Sequence, residues 1–323
     1  MPMTLPRRLL LAALTAAPSL RVAFAQPAAR GEAVTILVPY SEGGVSDQLA
    51  RMLAERLAPR LGVEVRVENR PGEGGLLAAQ AAARAPADGR TLLLHGSGIV
   101  VMAANAPSPR FNPNISLAPV AHVAELPGIL VAHPALPARD LAELLGLIRH
   151  ASRPLRCGVL GAGGADDSLC RALGVAAEGP VAPVVYRGSA PLLLDLEAGA
   201  VEISLGPLPA YLPLLRAGRL RALAVTTTER LPGWPDVPTL RESGFAFDGL
   251  AFNALFAPAG TPPAVIARLH AEVTAILEEP GPQAWLREMG ATRQPLDNAA
   301  LAALFRDVWE ETMRARERWD GRR

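Results

Sequence analysis

The chain contains no lysine, so all 32 of its basic residues are arginine, a compositional bias that carries no functional signal. It also lacks any apolar run long enough to cross a bilayer, for which roughly 20 residues are needed. The five histidines show no His-x-x-x-His spacing and the two cysteines no Cys-x-x-Cys spacing, so nothing predicts a metal site. No phosphate-binding G-x-x-x-x-G-K-[ST] is present, and no G-x-G-x-x-G follows the first predicted strand, so no nucleotide cofactor is expected. A G-x-S-x-G nucleophile elbow is missing too, and Ser41, Ser97 and Ser189 have no histidine at a telling spacing, which argues against an enzyme. A triad assembled from distant residues stays open at this level.

The first 25 residues have the layout of an export signal. Arg7 and Arg8 precede an apolar core from Leu9 to Ala17, and Ala23-Phe24-Ala25 is a small-residue cleavage pattern that places the mature start near Gln26 in the periplasm. The twin arginine leaves both the general and the twin-arginine export routes open. Removing the three Arg of that segment leaves 29 basic residues against 31 acidic, a net charge of −2 that excludes the positive excess needed for nucleic acid. An exported chain meets an oxidising compartment, so Cys157 and Cys170 are either bridged or free. A bridge requires their Cα atoms to lie within about 7 Å.

From Val34 onward, short apolar runs alternate with segments of helical period, the pattern of an α/β fold with a parallel sheet and crossover helices. Predicted strands are 34–39, 63–68, 91–95, 117–123, 129–132, 156–159, 181–185, 202–205, 220–226 and 251–257. Helices are expected over 47–61, 76–84, 140–151, 189–198 and 208–217, with another starting near Ser168. After Ala257 only helical patterns remain, the first of them capped by Thr261. No internal repeat or flexible tether stands out, so two domains would be joined by crossing strands.

Small-residue turns follow several of these strands. The most informative, Tyr40-Ser41-Glu42-Gly43-Gly44-Val45-Ser46-Asp47, places backbone N–H groups at a helix start, where the partial positive charge favours an anion. Similar turns carry Ser97 and Gly98, then Gly163, Gly164, Ala165, Asp166 and Asp167, then Tyr186, Arg187, Gly188 and Ser189. Together they suggest a cleft walled by backbone. Each side chain also has a structural reading. Asp47 caps the first helix, and one of Asp166 and Asp167 caps another while its neighbour is left to accept a ligand ammonium. Glu42 faces solvent or the cleft, Arg187 pairs a carboxylate or lies on the surface, and Tyr40 and Tyr186 line a cavity or pack in the core. Trp285, Trp309 and Trp319 are expected to pack.

The stretches ILVPYSEGGVSDQLAR from Ile36, VENRPGEGG from Val67, ADGRTLLL from Ala87, YRGSAPLLLDLEAGAVE from Tyr186, LRAGRLRALAVTTTERLPGWPDVPTLRESG from Leu215 and LFAPAGTP from Leu255 carry a resemblance. In order and spacing the chain resembles the Bug-type extracytoplasmic receptors of tripartite tricarboxylate transporters. The resemblance implies a two-domain, type II periplasmic-binding-protein fold with hinge-crossing strands and a ligand cleft between the domains. It implies domain 1 at 26–126 plus 248–323 and domain 2 at 127–247. It further implies a monomer that closes around a small organic acid or amino acid and delivers it to membrane permease subunits, with a sensory receptor as the alternative and a periplasmic hydrolase or transferase behind it. Ligand contacts implied in domain 1 are Ser41, Glu42, Gly43, Gly44, Asp47, Ser97 and Gly98, and in domain 2 Gly163, Gly164, Ala165, Asp166, Gly188 and Ser189. The chain departs from the family where Ser41-Glu42 replaces Pro-Pro, Ile99-Val100 replaces a Ser/Thr-His pair and Ala165-Asp166-Asp167 replaces a serine-rich run ending in His. Neutral donors are lost there and acids are gained.

Overall fold

The computed structural model describes residues 33–105, 111–245, 252–293 and 295–320, with side chains described as far as residue 314. The predicted export signal and its cleavage point lie outside them. The chain begins with strands β1 (Val34–Val38), β2 (Val65–Asn69), β3 (Thr91–Gly96) and β4 (Leu117–Glu125), among which lie helices α1 (Val45–Leu61), α2 (Leu76–Arg84), α3 (Gly98–Asn105) and α4 (Pro113–Ser116). Next come β5 (Gly128–Ala132), β6 (Leu155–Val159), β7 (Val181–Val185), β8 (Ile203–Pro207) and β9 (Arg221–Val225), with α5 (Leu141–Arg149), α6 (Ala165–Ala177), α7 (Ser189–Glu197) and α8 (Leu208–Arg216). Strand β10 (Phe252–Pro258) precedes the closing helices α9 (Pro263–Leu277), α10 (Pro280–Glu288) and α11 (Asn298–Asp320).

Two five-stranded sheets result, ordered β2-β1-β3-β10-β4 and β7-β6-β8-β5-β9. Both are mixed rather than purely parallel. β10 runs antiparallel to β3 and β4, and β5 runs antiparallel to β8 and β9, because the chain enters each of these positions on a crossing rather than through a helix. Burial explains the sequence patterns. β10 and β5 sit inside their sheets with every residue buried, hence their mostly apolar runs, broken in β10 only by Asn253, whereas edge strand β2 alternates. Pro183 falls in β7, an edge strand whose lost ladder donor has no inner neighbour to miss.

Helices cover both faces of each sheet. In the first, Leu49, Leu53 and Leu57 of α1 pack with Leu269, Val273 and Ile276 of α9 on one face. Phe252, Phe256 and Phe305 fill the other beneath α2, α3 and α11. In the second sheet α5 and α6 cover one face and α7 and α8 the other. Trp285 and Trp309 pack against the first sheet's two cores, as expected of them. Thr261 does not cap α9. Its hydroxyl donates to the Pro258 carbonyl at 2.8 Å, and Pro262 takes the cap position. Cys157 in β6 and Cys170 in α6 form a disulfide with Cα atoms 6.1 Å apart, which resolves the question left by the sequence.

The crossing from the first sheet to the second takes only Leu126 and Pro127, both buried. The tail anchors this crossing, since Glu125 and Thr292 exchange backbone hydrogen bonds of 2.8 and 3.0 Å. Gly128 and Thr226, on the outgoing and returning chains, are likewise tied by Thr226 N–H to the Gly128 carbonyl and Gly128 N–H to Thr226 Oγ1.

Candidate functional site

Helix α1 opens on a turn dictated by two glycines and an aspartate. Gly43 adopts φ +80°, where a Cβ would be strained, and its N–H donates to Asp47 Oδ2 at 2.9 Å. The same carboxylate accepts from Arg51 Nε at 2.9 Å and from Asn69 Nδ2 at 3.0 Å, and Asn69 also holds the Tyr40 carbonyl. Burial opposes ionisation of Asp47, but the bonds from Arg51, Gly43 and Asn69 outweigh it and hold its pKa below the usual carboxylate value. Asp47 therefore organises the turn from behind. Gly44, Val45 and Ser46 face the cleft, ahead of the first intrahelical bond, Gln48 N–H to Gly44 O at 3.0 Å.

The second sheet builds the same device. Gly163 has φ +80° and donates its N–H to Asp167 Oδ2 at 2.7 Å, Asp167 pairs with Arg171 at 3.1 Å, and Ser168 N–H closes the first turn on Gly164 O. The two segments read Gly-Gly-x-x-Asp-x-Leu-x-Arg at 43–51 and 163–171, a short internal repeat that the linear reading missed. It places the start of α6 at Ala165 rather than near Ser168, so both Asp166 and Asp167 lie in its first turn. Gly164 takes the N-cap position without a side-chain cap, so neither aspartate caps α6 as expected, and Asp167 braces the preceding turn through the Gly163 N–H. Asp166 turns the other way, where its Oδ2 accepts the Leu160 N–H at 2.5 Å and its Oδ1 the Asp167 N–H at 3.0 Å. Loss of water in the cleft pushes its carboxyl up to about 6.

A third helix start completes the wall. The segment after β3 is α3, which the sequence did not predict, and Gly96, Ser97 and Gly98 bring its N-terminus to the same place. Between these three helix starts lies a cavity of about 190 Å³. Tyr40, Gly44, Ser97, Gly98, Gly164, Ala165 and Asp166 line it, together with Met102, Leu126, Leu160, Leu205, Phe252, Asn253 and the hinge pair Gly128 and Thr226. Among the described lining residues Asp166 is the one side chain of carboxylate or cationic type. The Tyr40 ring sits 6.1 Å from that of buried His95, and its hydroxyl pKa is raised by burial and then by Asp166. The apolar lining comes from α3, strand ends and the hinge, where only the folded register brings it together. Thr226, which ends a predicted strand, offered the one usable signal.

The remaining predicted residues stand off this wall. Ser41 and the Gly188 turn form the mouth instead, where Ser41 Oγ donates to the Arg187 carbonyl at 3.2 Å. A Cβ added at Gly188 would lie 2.9 Å from that hydroxyl oxygen, so the close approach depends on glycine. Ser189 lies next to this contact, while the Arg187 side chain is exposed. Glu42 is exposed, with Arg51 at 3.9 Å. Tyr186 turns its hydroxyl to Asp195 Oδ2 at 2.7 Å and packs with the core beneath α7. Two more contacts cross the cleft: Asn105 Nδ2 donates to Gly163 O at 2.9 Å, and a Cβ on Gly161 would come within 2.5 Å of the Gly74 Cα. These contacts bridge the two walls beside the cavity, which remains partly open. Among the described residues no group of His, Cys, Asp and Glu is placed to hold a metal, and no helix is long and apolar enough to cross a membrane.

Residues 49–315 match the family model of the tripartite tricarboxylate transporter family receptor, TctC. The protein BugT of Bordetella pertussis is 32% identical over 262 residues, 80% of either chain. Two solved structures from Rhodopseudomonas palustris are similar throughout. MatC with bound malate is 31% identical at a TM-score of 0.82, covering 87% of this chain and 97% of its own. A second protein, solved with adipate, is 32% identical at a TM-score of 0.80, covering 87% and 96%.

Proposed function

Because the chain belongs to the tripartite tricarboxylate transporter receptor family, whose members are periplasmic solute-binding proteins, we propose that it captures a small carboxylate-bearing metabolite outside the cytoplasm and delivers it to a permease. The observation that carries this reading is the convergence of three helix starts, those of α1, α3 and α6, on one cavity lined by both sheets. Unpaired N–H groups at helix starts replace the water around an anion without needing an arginine. The malate and adipate held by the two similar R. palustris proteins support a carboxylate as the ligand class.

In this reading domain 1 comprises 26–126 plus 248–323 and domain 2 comprises 127–247, the first 25 residues are the export signal, and the protein acts as a monomer. The ligand docks on the α1 and α3 turns while the cleft is open. Rotation about Leu126-Pro127 and the Thr226 segment then brings the α6 turn and the Gly188 turn over it. Closure is favoured to the extent that the ligand binds the shut form better, and the shut form is what the permease recognises. The reading assigns the site no chemical step.

Native mass spectrometry of freshly purified protein, followed by thermal shifts with a panel of carboxylates and uncharged solutes, tests the proposal. A carboxylate-bearing ligand at about 100 times its Kd should stabilise by roughly 2.7 kcal/mol. Stabilisation by sugars or other uncharged solutes alone would rule the proposal out.

A further inference from the structure

We infer that Asp166 selects a ligand carrying an ammonium opposite its carboxylate, so that the solute is an amino acid rather than a dicarboxylate. The inference rests on the solute-binding reading above and narrows its ligand class. It starts from the repeated turns. At the α1 start the second helical residue is Ser46, and the N–H groups of Val45 and Ser46 are left for a guest anion. At the α6 start the corresponding residue is Asp166, whose carboxylate folds over Gly164 and takes the Leu160 and Asp167 N–H groups. A carboxylate of the protein therefore stands at the second lobe's helix start, beside the N–H groups that correspond to those of Val45 and Ser46.

The charge count inside the cavity points the same way. Among the described residues no arginine or histidine lines it, and Arg187, the natural partner for a carboxylate, is exposed at the mouth. A dicarboxylate bound here would set one of its charges against Asp166 in a cleft that is only partly open to water. Like charges brought within about 4 Å in such a setting cost more than about tenfold in affinity. An ammonium in the same place meets one lone pair left on each Asp166 oxygen and forms a charge-assisted hydrogen bond. Gly164 is essential to the arrangement, since a Cβ there would lie 2.7 Å from Asp166 Oδ1.

The test is calorimetric titration of the full-length mature protein with ligand pairs of equal length: succinate against β-alanine, glutarate against 4-aminobutyrate, adipate against 5-aminovalerate. The wild type should bind at least one amino acid about tenfold or more tightly than its dicarboxylate twin. D166N, which keeps an acceptor for the Leu160 N–H, and D166S, which copies the α1 turn, should both lose that preference, and D166S should gain affinity for the dicarboxylate. Preference for dicarboxylates in the wild type, or an amino acid preference unchanged in both variants, overturns the inference while leaving the carboxylate reading intact. Binding of neither class by the wild type overturns both.

Discussion

The turns at 43–51 and 163–171 share glycines of the same φ, an aspartate that accepts the glycine N–H, and an arginine one helical turn further on. They differ in what surrounds that frame. The first is braced by hydrogen bonds, with Asn69 joining Asp47 to the Tyr40 carbonyl. The second is braced covalently, because Cys157 and Cys170 close the chain around it, whereas Ile36 and Ala50 occupy the matching places in β1 and α1. The first presents a serine to the cavity and the second an acid. A common turn thus presents a neutral hydroxyl on one side and a carboxylate on the other.

Breaking the braces should show how differently the two turns are held. Reduction of the disulfide, or C157A/C170A, is expected to cost about 3 kcal/mol in urea unfolding, the value for a closed loop of this length. Asp47→Ala should cost about 2 kcal/mol and Asp167→Ala somewhat less, since Asp47 carries the additional bond to Asn69. Equal losses would mean that Asn69 contributes nothing.

The serine and acid positions differ in their pH response. With its carboxyl raised to about 6 in the folded protein, Asp166 holds its proton more tightly there than in the unfolded chain. Stability from this group is thus full below the ordinary aspartate range and falls as pH rises towards 6, by on the order of 1–2 kcal/mol after screening by the cleft. Thermal melts of wild type and D166N between pH 4 and 7 should diverge in slope over that window. Asp47, whose pKa is lowered, acts in the opposite sense, and its contribution is lost only as pH drops through its folded value. The smallest effect belongs to the glycines. Gly43→Ala and Gly163→Ala, at the same φ of +80°, should each cost about 1 kcal/mol of backbone strain, since the new Cβ at Gly163 meets that of Asn105 only at 3.4 Å.

Most strands and helices were legible because their apolar periods are strong, as in VTILV of β1 and FNALFAP of β10. Strand direction was not, since β10 and β5 read the same whether their neighbours run parallel or antiparallel. Nor was α3, where GIVVMAAN is apolar on every side and has no polar stripe to reveal a helix. The site was half legible. Glycine turns announced the wall, but choosing between Asp166 and Asp167 required the phase of α6. Neighbouring helical residues lie about 100° apart around the axis, so one acid braces the Gly163 turn while the other meets the cavity. The mouth residues Ser41 and Gly188 were placed in the right region, yet their contact runs from side chain to backbone across the cleft and leaves no sequence pattern.

The place of β10 between β3 and β4 has a consequence for how the chain folds. All five strands of the second sheet lie between Gly128 and Val225, so a growing chain can finish that sheet while the first still lacks its filling strand. Until Phe252–Pro258 arrives, the inner edges of β3 and β4 offer open ladders to any passing strand, which is the condition that invites aggregation. A polypeptide ending at residue 245 should therefore carry one finished sheet and one sticky, unfinished one, and the last strand to be synthesised closes the first sheet begun.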